Sequence, residues 1–368
     1  MNKFLALLLA MMMVVFTFGA VAETVDPNTI DDNPASANGM YDIGLVTDIG
    51  SLKDGSFNEG TWNGIKLFAN ATNMTYKYYQ PANGNQATDD DRYDAMKAAC
   101  DNGAKIIVTP GYLQAAALTK VAQEYPEVKF VFIDGWDLEL DNVAAISYAE
   151  QESGYMAGYA IVKDGFEKIG FMGGGGGTNS ACCRYGYGFA QGVSAAAKEM
   201  GKQVELKYSW QYGSTFSASP ELQTMAAGWY ETGTEIIFVC GGPMFDSVTA
   251  AAAANDAFVV GVDADQSPLS DTVVTSAMKD LPTSVQWALN KFHAGEWETI
   301  GNNGTVLGAK DGSTRLPTAT WRFETYTIEE YEAQLAAIVD GTLVISDEVV
   351  TEGNIVNMPL ENVTVLYE

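Results

Sequence analysis

The stretch IGLVTDIGSLKDGSFNEGTWNGI, residues 43–65, holds the pattern that decides the fold. It opens with a short apolar run, continues through a polar loop, and enters a stretch that is helix-like over residues 57–70. The same alternation of apolar runs with amphipathic stretches continues to residue 134. Because strands that alternate with helices pair in parallel through helical crossovers, this pattern predicts an α/β domain with a parallel sheet.

A second series of the same kind starts at NVAAISY, residues 142–148, and ends at TVVTSAM, residues 272–278. Two such series predict two doubly wound parallel-sheet lobes. Helix-like stretches at 282–293 and 327–339 follow, and we expect them to cross back between the lobes. We therefore assign residues 40–147 and about 281–297 to lobe 1, and residues 148–280 and about 298–368 to lobe 2.

Residues 1–22 have the features of a cleaved signal peptide. Lys3 precedes an apolar run that ends in Ala20-Val21-Ala22, where the small residues suit a signal peptidase. The alternative, a membrane anchor, needs roughly 20 apolar residues, and this run is shorter. Residues 23–39 are polar and acidic, which predicts a flexible tether. The first cysteine is Cys100, so no lipobox cysteine is found, and we expect an exported protein that is periplasmic or associated with the cell surface.

The chain is strongly acidic, and its few cysteines form no recognisable framework. Its 368 residues carry a formal net charge of −27, a surface that repels nucleic acid and anionic membranes. The four cysteines, Cys100, Cys182, Cys183 and Cys240, lack the spacing of a zinc site. We interpret them as small buried apolar residues. Whether Cys182 or Cys183 bonds Cys240 is open at this point.

Five consecutive glycines, Gly173 to Gly177, pose the question of a phosphate-binding loop. A P-loop needs a lysine after its glycines, and none lies between Lys168 and Arg184. A dinucleotide fingerprint needs a third glycine where Thr178 or Asn179 stands. The run is therefore better interpreted as a strand-to-helix turn that requires left-handed dihedral angles and close backbone packing.

Motifs of hydrolytic enzymes are missing from the sequence. The only histidine is His293, which we interpret as a cation at a helix end. There is no G-x-S-x-G elbow, no H-E-x-x-H motif, and no aspartate cluster of the kind that holds Ca²⁺ in a nucleoside hydrolase. The acidic segment TDDDR, residues 88–92, suits a helix start. We therefore expect a non-catalytic protein without a cofactor or a metal site.

Polar residues and glycines follow the ends of several predicted strands. They are Asp48, Tyr112, Asp134, Gly242 and Asp263. In open parallel sheets, ligands bind beyond the carboxyl ends of the strands. Three carboxylates there suit a ligand with several hydroxyl groups, because an ionised carboxylate accepts hydrogen bonds from adjacent hydroxyls. The alternative for each aspartate is to cap the helix that follows it.

The segments at 43–65 and at 261–279, GVDADQSPLSDTVVTSAMK, together resemble the basic membrane protein (Bmp) family of solute-binding proteins. The resemblance extends through PGYLQAAA, FVFIDG, NVAAISYAEQESGYMAGYAI and GFAQGV, and covers nearly all of residues 40–345. It implies the type I periplasmic binding protein fold, in which two lobes joined by a hinge close on one ligand. The family includes purine nucleoside receptors that feed ATP-driven importers.

The resemblance also implies roles for single residues. Phe57 matches the aromatic residue that stacks on the base, and Asp48 faces the base side. Asn58 matches the residue that reads the edge of the base, which an amide can do with one donor and one acceptor. Phe216 is the best match for a second stacking ring, although Ser217-Ala218-Ser219 replaces the family's acidic residue and proline, and Trp210 and Tyr212 are the substitutes. The positions that hold the ribose match Asp134, Gly242, Asp263 and Lys279.

Our leading hypothesis is a monomeric, exported receptor that binds a nucleoside, preferably a purine nucleoside, and delivers it to the permease and ATPase subunits of an ABC importer. The altered segment FSASP and the extra aromatic residues Trp136 and Trp210 favour a second hypothesis. It is a receptor of the same fold for a sugar or another heterocycle, with a sensory role as one variant. A periplasmic nucleoside hydrolase is the third hypothesis.

Overall fold

The computed structural model describes residues 25–348 and 358–368. The predicted signal peptide, residues 1–22, lies outside the described residues. Within them, strands and helices alternate along the chain and build two separate sheets. The prediction of an α/β fold with two doubly wound parallel-sheet lobes is therefore confirmed.

The order of the elements follows the predicted alternation. The strands are β1 (Ile43–Val46), β2 (Tyr76–Tyr79), β3 (Ile106–Pro110), β4 (Lys129–Ile133), β5 (Val143–Tyr148), β6 (Lys168–Gly173), β7 (Val204–Ser209), β8 (Ile236–Cys240), β9 (Phe258–Asp263), β10 (Val273–Lys279), β11 (Asn303–Leu307), β12 (Thr314–Arg315) and β13 (Val363–Tyr367). The helices are α1 (Phe57–Thr72), α2 (Asp89–Asp101), α3 (Ala115–Glu124), α4 (Glu150–Lys163), α5 (Ser180–Met200), α6 (Pro220–Glu231), α7 (Met244–Ala254), α8 (Leu281–His293) and α9 (Ile328–Val339).

Each sheet forms the centre of one lobe. In the described part of the chain, the first sheet has the order β11-β5-β4-β3-β1-β2 with parallel pairs throughout. The second has the order β12-β10-β9-β8-β6-β7-β13 and is parallel except for the β10–β12 pair. Every residue of β3 and β8 is buried, because helices cover both faces of the central strands.

One edge strand lies in a different lobe from the one that the sequence predicts. Strand β11 pairs with β5 in the first sheet, from Asn303 beside Ala144 to Leu307 beside Tyr148, whereas the prediction placed residues from about 298 in lobe 2. Its sequence, NGTVL, is short and mostly exposed, so hydrophobic periodicity gives little signal. The remaining lobe limits stay a prediction.

Part of the segment predicted to be a flexible tether packs against lobe 1. The Asp32 carboxylate accepts hydrogen bonds from the Trp62 indole at 2.8 Å and from the Lys66 ammonium at 2.9 Å. Lys66 is fully buried, so its charge requires a carboxylate partner. Ile30 also contacts the core of this lobe. The polar composition of residues 23–39 predicted a flexible tether, but it could not show that Asp32 pairs with the buried Lys66.

Candidate functional site

One cavity lies between the two sheets, at the carboxyl ends of their strands. Its empty volume, which includes space open to solvent, is ≈ 650 Å³. All nine residues predicted from the sequence line it, namely Asp48, Phe57, Asn58, Tyr112, Asp134, Phe216, Gly242, Asp263 and Lys279. The structure thus brings them together from both lobes, and their role in binding stays a prediction.

Asp48 follows β1 and is almost completely buried in the wall of this cavity. Burial raises the pKa of Asp48 to about 7, although a hydrogen bond from the Ile49 backbone and the charge of Arg92 favour the ionised form. Arg92 also donates to the backbone carbonyl of Asp48 at 3.0 Å. The carboxyl group of Asp48 is therefore held in place with a pKa near neutrality.

We expect Asp48→Asn to stabilise the ligand-free protein at pH 8 but not at pH 4. An unfolded aspartate has a pKa of about 3.9, so between about pH 4 and pH 7 the unfolded chain loses a proton that the folded chain keeps. The stability of the wild type falls as the pH rises through this window, by about 4 kcal/mol at most for this one group. Urea unfolding at the two pH values measures the difference.

The exposed Asp94→Asn substitution provides the control for this pH experiment. Its effect on the free energy of unfolding is expected to be small, since surface substitutions usually change stability by less than about 0.5 kcal/mol. A stability difference between Asp48→Asn and wild type that stays constant from pH 4 to pH 8 would contradict the prediction.

Helix α1 begins at Phe57 and presents Phe57 and Asn58 to the cavity. The carboxylate of Asp54 caps this helix by accepting hydrogen bonds from the backbone N–H groups of Ser56, Asn58 and Glu59. Phe57 is therefore the first residue of a capped helix.

The side chain of Asn58 has fewer free hydrogen-bonding groups than predicted. Its Nδ2 donates to the carbonyl oxygens of Ile49 at 3.0 Å and Ser51 at 3.1 Å, so both N–H groups are used. Its Oδ1 is buried and has no hydrogen-bond partner among the described residues. Asn58 can therefore accept one hydrogen bond from a ligand, but it does not offer the donor and acceptor pair that the sequence implies.

A buried cluster of charges surrounds Lys279. Its ammonium donates to both carboxylate oxygens of Asp134 at 2.9 and 2.6 Å and lies 3.6 Å from Glu150 and 3.7 Å from Asp263. Burial lowers the pKa of Lys279, but the attraction of these three carboxylates outweighs it and raises the pKa overall. The same ammonium lies 4.7 Å from the centre of the Phe57 ring. Lys279 thus connects the carboxylates of both lobes to the aromatic wall.

Two of these strand-end aspartates have an unusual backbone conformation. Asp134 has a φ of 56° and Asp263 a φ of 65°, in the left-handed region that non-glycine residues rarely adopt. Strain of this kind persists only where surrounding contacts hold the residue, and it is concentrated at functional sites. Both carboxylates lie beside the Lys279 ammonium, at 2.6 Å for Asp134 and 3.7 Å for Asp263.

The glycine run makes room for aromatic rings. A Cβ atom on Gly173 would lie 2.1 Å from the Trp210 ring, and one on Gly174 would lie 2.5 Å from the Phe216 ring. Trp210 packs inside the second lobe, and Tyr212 is about half exposed outside the cavity. Of the three aromatic candidates for the second stacking ring, Phe216 is the one that lines the cavity.

Several residues near the site were missed by sequence reasoning. Tyr185 and Asn179 line the cavity together with the buried thiols of Cys182 and Cys240, and Glu150 lies behind Lys279. Helix α5 begins at Ser180, which brings its first turn to the cavity wall. The N-cap residue Asn179, which accepts from the backbone of Cys182, was the signal that could have placed this helix start.

The family model described as ABC transporter substrate-binding protein PnrA-like matches residues 43–348. The chain belongs to the Bmp family. It is therefore an ABC transporter substrate-binding protein of a family that works outside the cytoplasm. Within the residues that the structure covers, no helix has both the length and the apolar character needed to cross a bilayer.

Two relatives are similar to this Bmp protein over much of its length. The ABC transporter nucleoside-binding protein BmpA of Lactococcus lactis subsp. cremoris is 27% identical over 315 residues, covering 77% of this chain and 86% of that protein. Basic membrane protein B of Borreliella burgdorferi is 29% identical over 228 residues, covering 59% and 64%.

Solved structures confirm the type I periplasmic binding protein fold of this Bmp protein. A solute-binding protein of an ABC transporter system from Aeropyrum pernix K1 matches with a TM-score of 0.70 and 22% identity, covering 84% of this chain and 94% of that chain. A second, from Conexibacter woesei, has a TM-score of 0.66 and 19% identity, covering 83% and 99%. At these identities the likeness concerns the fold.

Proposed function

We propose that this Bmp protein captures a nucleoside between its lobes and delivers it to an ABC importer. The observation that carries the proposal is that each lobe contributes one aromatic ring, Phe57 or Phe216, to a single cavity. Stacking of a base on an aromatic side chain contributes about 1–3 kcal/mol. Closure of the lobes removes both faces of the base from water.

The carboxylates support a ligand that is neutral and rich in hydroxyl groups. Asp134 and Asp263 have lone pairs left for adjacent hydroxyls of a ribose, and Lys279 holds the two carboxylates in place. A phosphate group in the same cavity would meet more carboxylates than ammonium groups. The proposed ligand is therefore a nucleoside rather than a nucleotide.

The unpartnered oxygen of Asn58 supports a base with an N–H donor. Oδ1 is buried and accepts from no described residue, so a ligand donor placed there would satisfy it. Inosine and guanosine offer such a donor at N1, and adenosine offers its amino group. A purine also has the larger face for stacking, which supports the preference for a purine nucleoside. The name of the Lactococcus relative points to the same class of ligand.

The proposed partners are the permease and ATPase subunits of the importer, which this monomeric receptor contacts through both lobes. Only the closed form presents the two lobe surfaces in one fixed relation, so closure reports that a ligand is present. Catalysis is not part of the proposal, which assigns only stacking and hydrogen bonding to the cavity residues.

A thermal-shift panel of nucleosides, bases, nucleotides and sugars tests the class of ligand. A ligand that binds the folded protein alone raises its melting temperature. We expect purine nucleosides to raise it and nucleotides to leave it unchanged. If a sugar raises it and no nucleoside does, the second hypothesis of a sugar receptor replaces the proposal.

We expect Phe57→Ala to weaken inosine binding by roughly 5- to 150-fold, which corresponds to the loss of one stacking ring. Isothermal calorimetry measures the dissociation constant, and circular dichroism checks that the fold is retained. Tyr212→Ala is the control, because Tyr212 is an exposed aromatic residue that does not line the cavity. Equal affinities for Phe57→Ala and wild type would remove Phe57 from the site.

A further inference from the structure

The hydroxyl of Ser56 crosses the cleft to a carboxylate of the other lobe. It donates to Oδ2 of Asp263 at 2.7 Å, and both residues are buried. Ser56 precedes α1 in the first lobe, whereas Asp263 ends β9 in the second. This hydrogen bond therefore exists only while the lobes are together.

The Ser56 hydroxyl is free for this contact because Asp54, rather than Ser56, caps helix α1. Ser56 stands at the N-cap position of α1, where a serine usually accepts from the backbone of the first turn, yet it makes no capping hydrogen bond. Asp54 accepts from the N–H groups of Asn58 and Glu59 instead. The helix keeps its cap, and the Ser56 hydroxyl remains available for the opposite lobe.

The residues beside this hydrogen bond also meet across the cleft. The Gln266 amide donates to the carbonyl oxygen of Gly55 at 3.3 Å. Gly55 packs so closely on Leu269 that a Cβ atom there would lie 2.7 Å from its Cδ1. Gln266 is itself fixed, since its Oε1 accepts from the Val262 backbone at 2.9 Å. Residues 55–56 therefore fit a preformed surface at the end of β9.

We infer that Ser56 is a positioning residue for ligand capture, whose hydroxyl holds the closed arrangement of the lobes. It links Asp263 to the helix that carries Phe57 and Asn58. Closure therefore places Asp263, on the side proposed to bind the ribose hydroxyls, opposite Phe57 and Asn58, on the side proposed to bind the base. A hydrogen bond between a hydroxyl and a buried carboxylate is among the stronger ones in proteins. The inference rests on the proposed function only for the identity of the ligand.

The test compares Ser56→Ala with Ser217→Ala. The control removes another hydrogen bond between the lobes, from Asn85 to Ser217 at 2.8 Å, which lies exposed at the rim. In stopped-flow experiments with inosine, Ser56→Ala is expected to raise the dissociation rate by about 10- to 100-fold, with the association rate nearly unchanged. Ser217→Ala is expected to change the dissociation rate less than about threefold.

Small-angle scattering of the ligand-free proteins gives a readout that needs no ligand. Ser56→Ala is expected to have a larger radius of gyration than wild type at an unchanged melting temperature, because each lobe keeps its own core.

An increase in either the radius or the dissociation rate supports the inference. Equal radii and equal dissociation rates for Ser56→Ala and wild type overturn it, as does an equal effect of Ser217→Ala. If inosine fails to bind wild type while the radius still increases, the proposed ligand is wrong and the role of Ser56 in closure stands.

Discussion

Lys279→Met is expected to destabilise this Bmp protein by about 3–5 kcal/mol, the usual cost of removing one partner of a buried ion pair. Lys279 is 3% exposed, and its ammonium is within 3.7 Å of carboxylate oxygens of Asp134, Glu150 and Asp263. Methionine fills a similar volume but removes the cation that pairs with Asp134 and Asp263 among the described residues, while Glu150 keeps Arg184 at 2.6 Å. Urea unfolding at pH 7.5 measures the loss.

The size of this loss is expected to depend on pH. Burial and the neighbouring carboxylates already raise the pKa of Asp134 in the wild type, and removal of the ammonium raises it further. A protonated Asp134 no longer repels Glu150, so the variant is closest to wild type in stability at acidic pH. The difference between the two proteins therefore grows as the pH rises from 5 to 7.5.

Lys291→Met is the matched control for Lys279→Met. Lys291 pairs with Glu296 at 2.6 Å, the same shortest distance as in the Lys279–Asp134 pair, but on the surface. Solvent screens an exposed pair, and its removal is expected to cost less than about 1 kcal/mol. A loss for Lys279→Met that is no larger than the loss for Lys291→Met would show that burial does not set the strength of the cluster.

The sequence predicted the parts of the site that follow from a rule about sheets. Asp48, Asp134 and Asp263 each come directly after an apolar run, and parallel strands place their carboxyl ends at one edge. The rule holds for both lobes, so the three carboxylates meet in one cavity. This prediction needed no knowledge of which residues contact one another.

What the sequence could not supply were contacts between residues far apart in the chain. Nothing near Ser56 indicates that its hydroxyl bonds Asp263, and nothing near Glu150 indicates Lys279. The amide of Asn58 was misjudged for a related reason, because the carbonyl groups that occupy its Nδ2 come from the fold of the preceding loop. Local patterns predict elements, whereas the pairing of polar atoms depends on how the elements pack.

The glycines illustrate the same limit. Their sequence positions indicate turns, but the neighbour that each one must clear belongs to another element. Gly174 clears Phe216 from the loop after β7, and Gly111 clears Asp48 from the end of β1. The importance of a glycine in this fold is therefore set by what lies opposite it.

Gly111→Ala is expected to destabilise the protein by about 3 kcal/mol or more, from backbone strain together with overpacking. Gly111 has a φ of 103° and a ψ of 137°, and a Cβ atom there would lie 1.9 Å from Oδ2 of Asp48. The carboxyl group must move into the cavity, so inosine binding is expected to weaken as well.

Gly312→Ala is the control, because Gly312 also has a positive φ, of 70°, but no atom within 4 Å of the added Cβ. Urea unfolding and calorimetry measure both effects, and a Gly111→Ala protein as stable as Gly312→Ala would mean that Asp48 is not held in the position described for it.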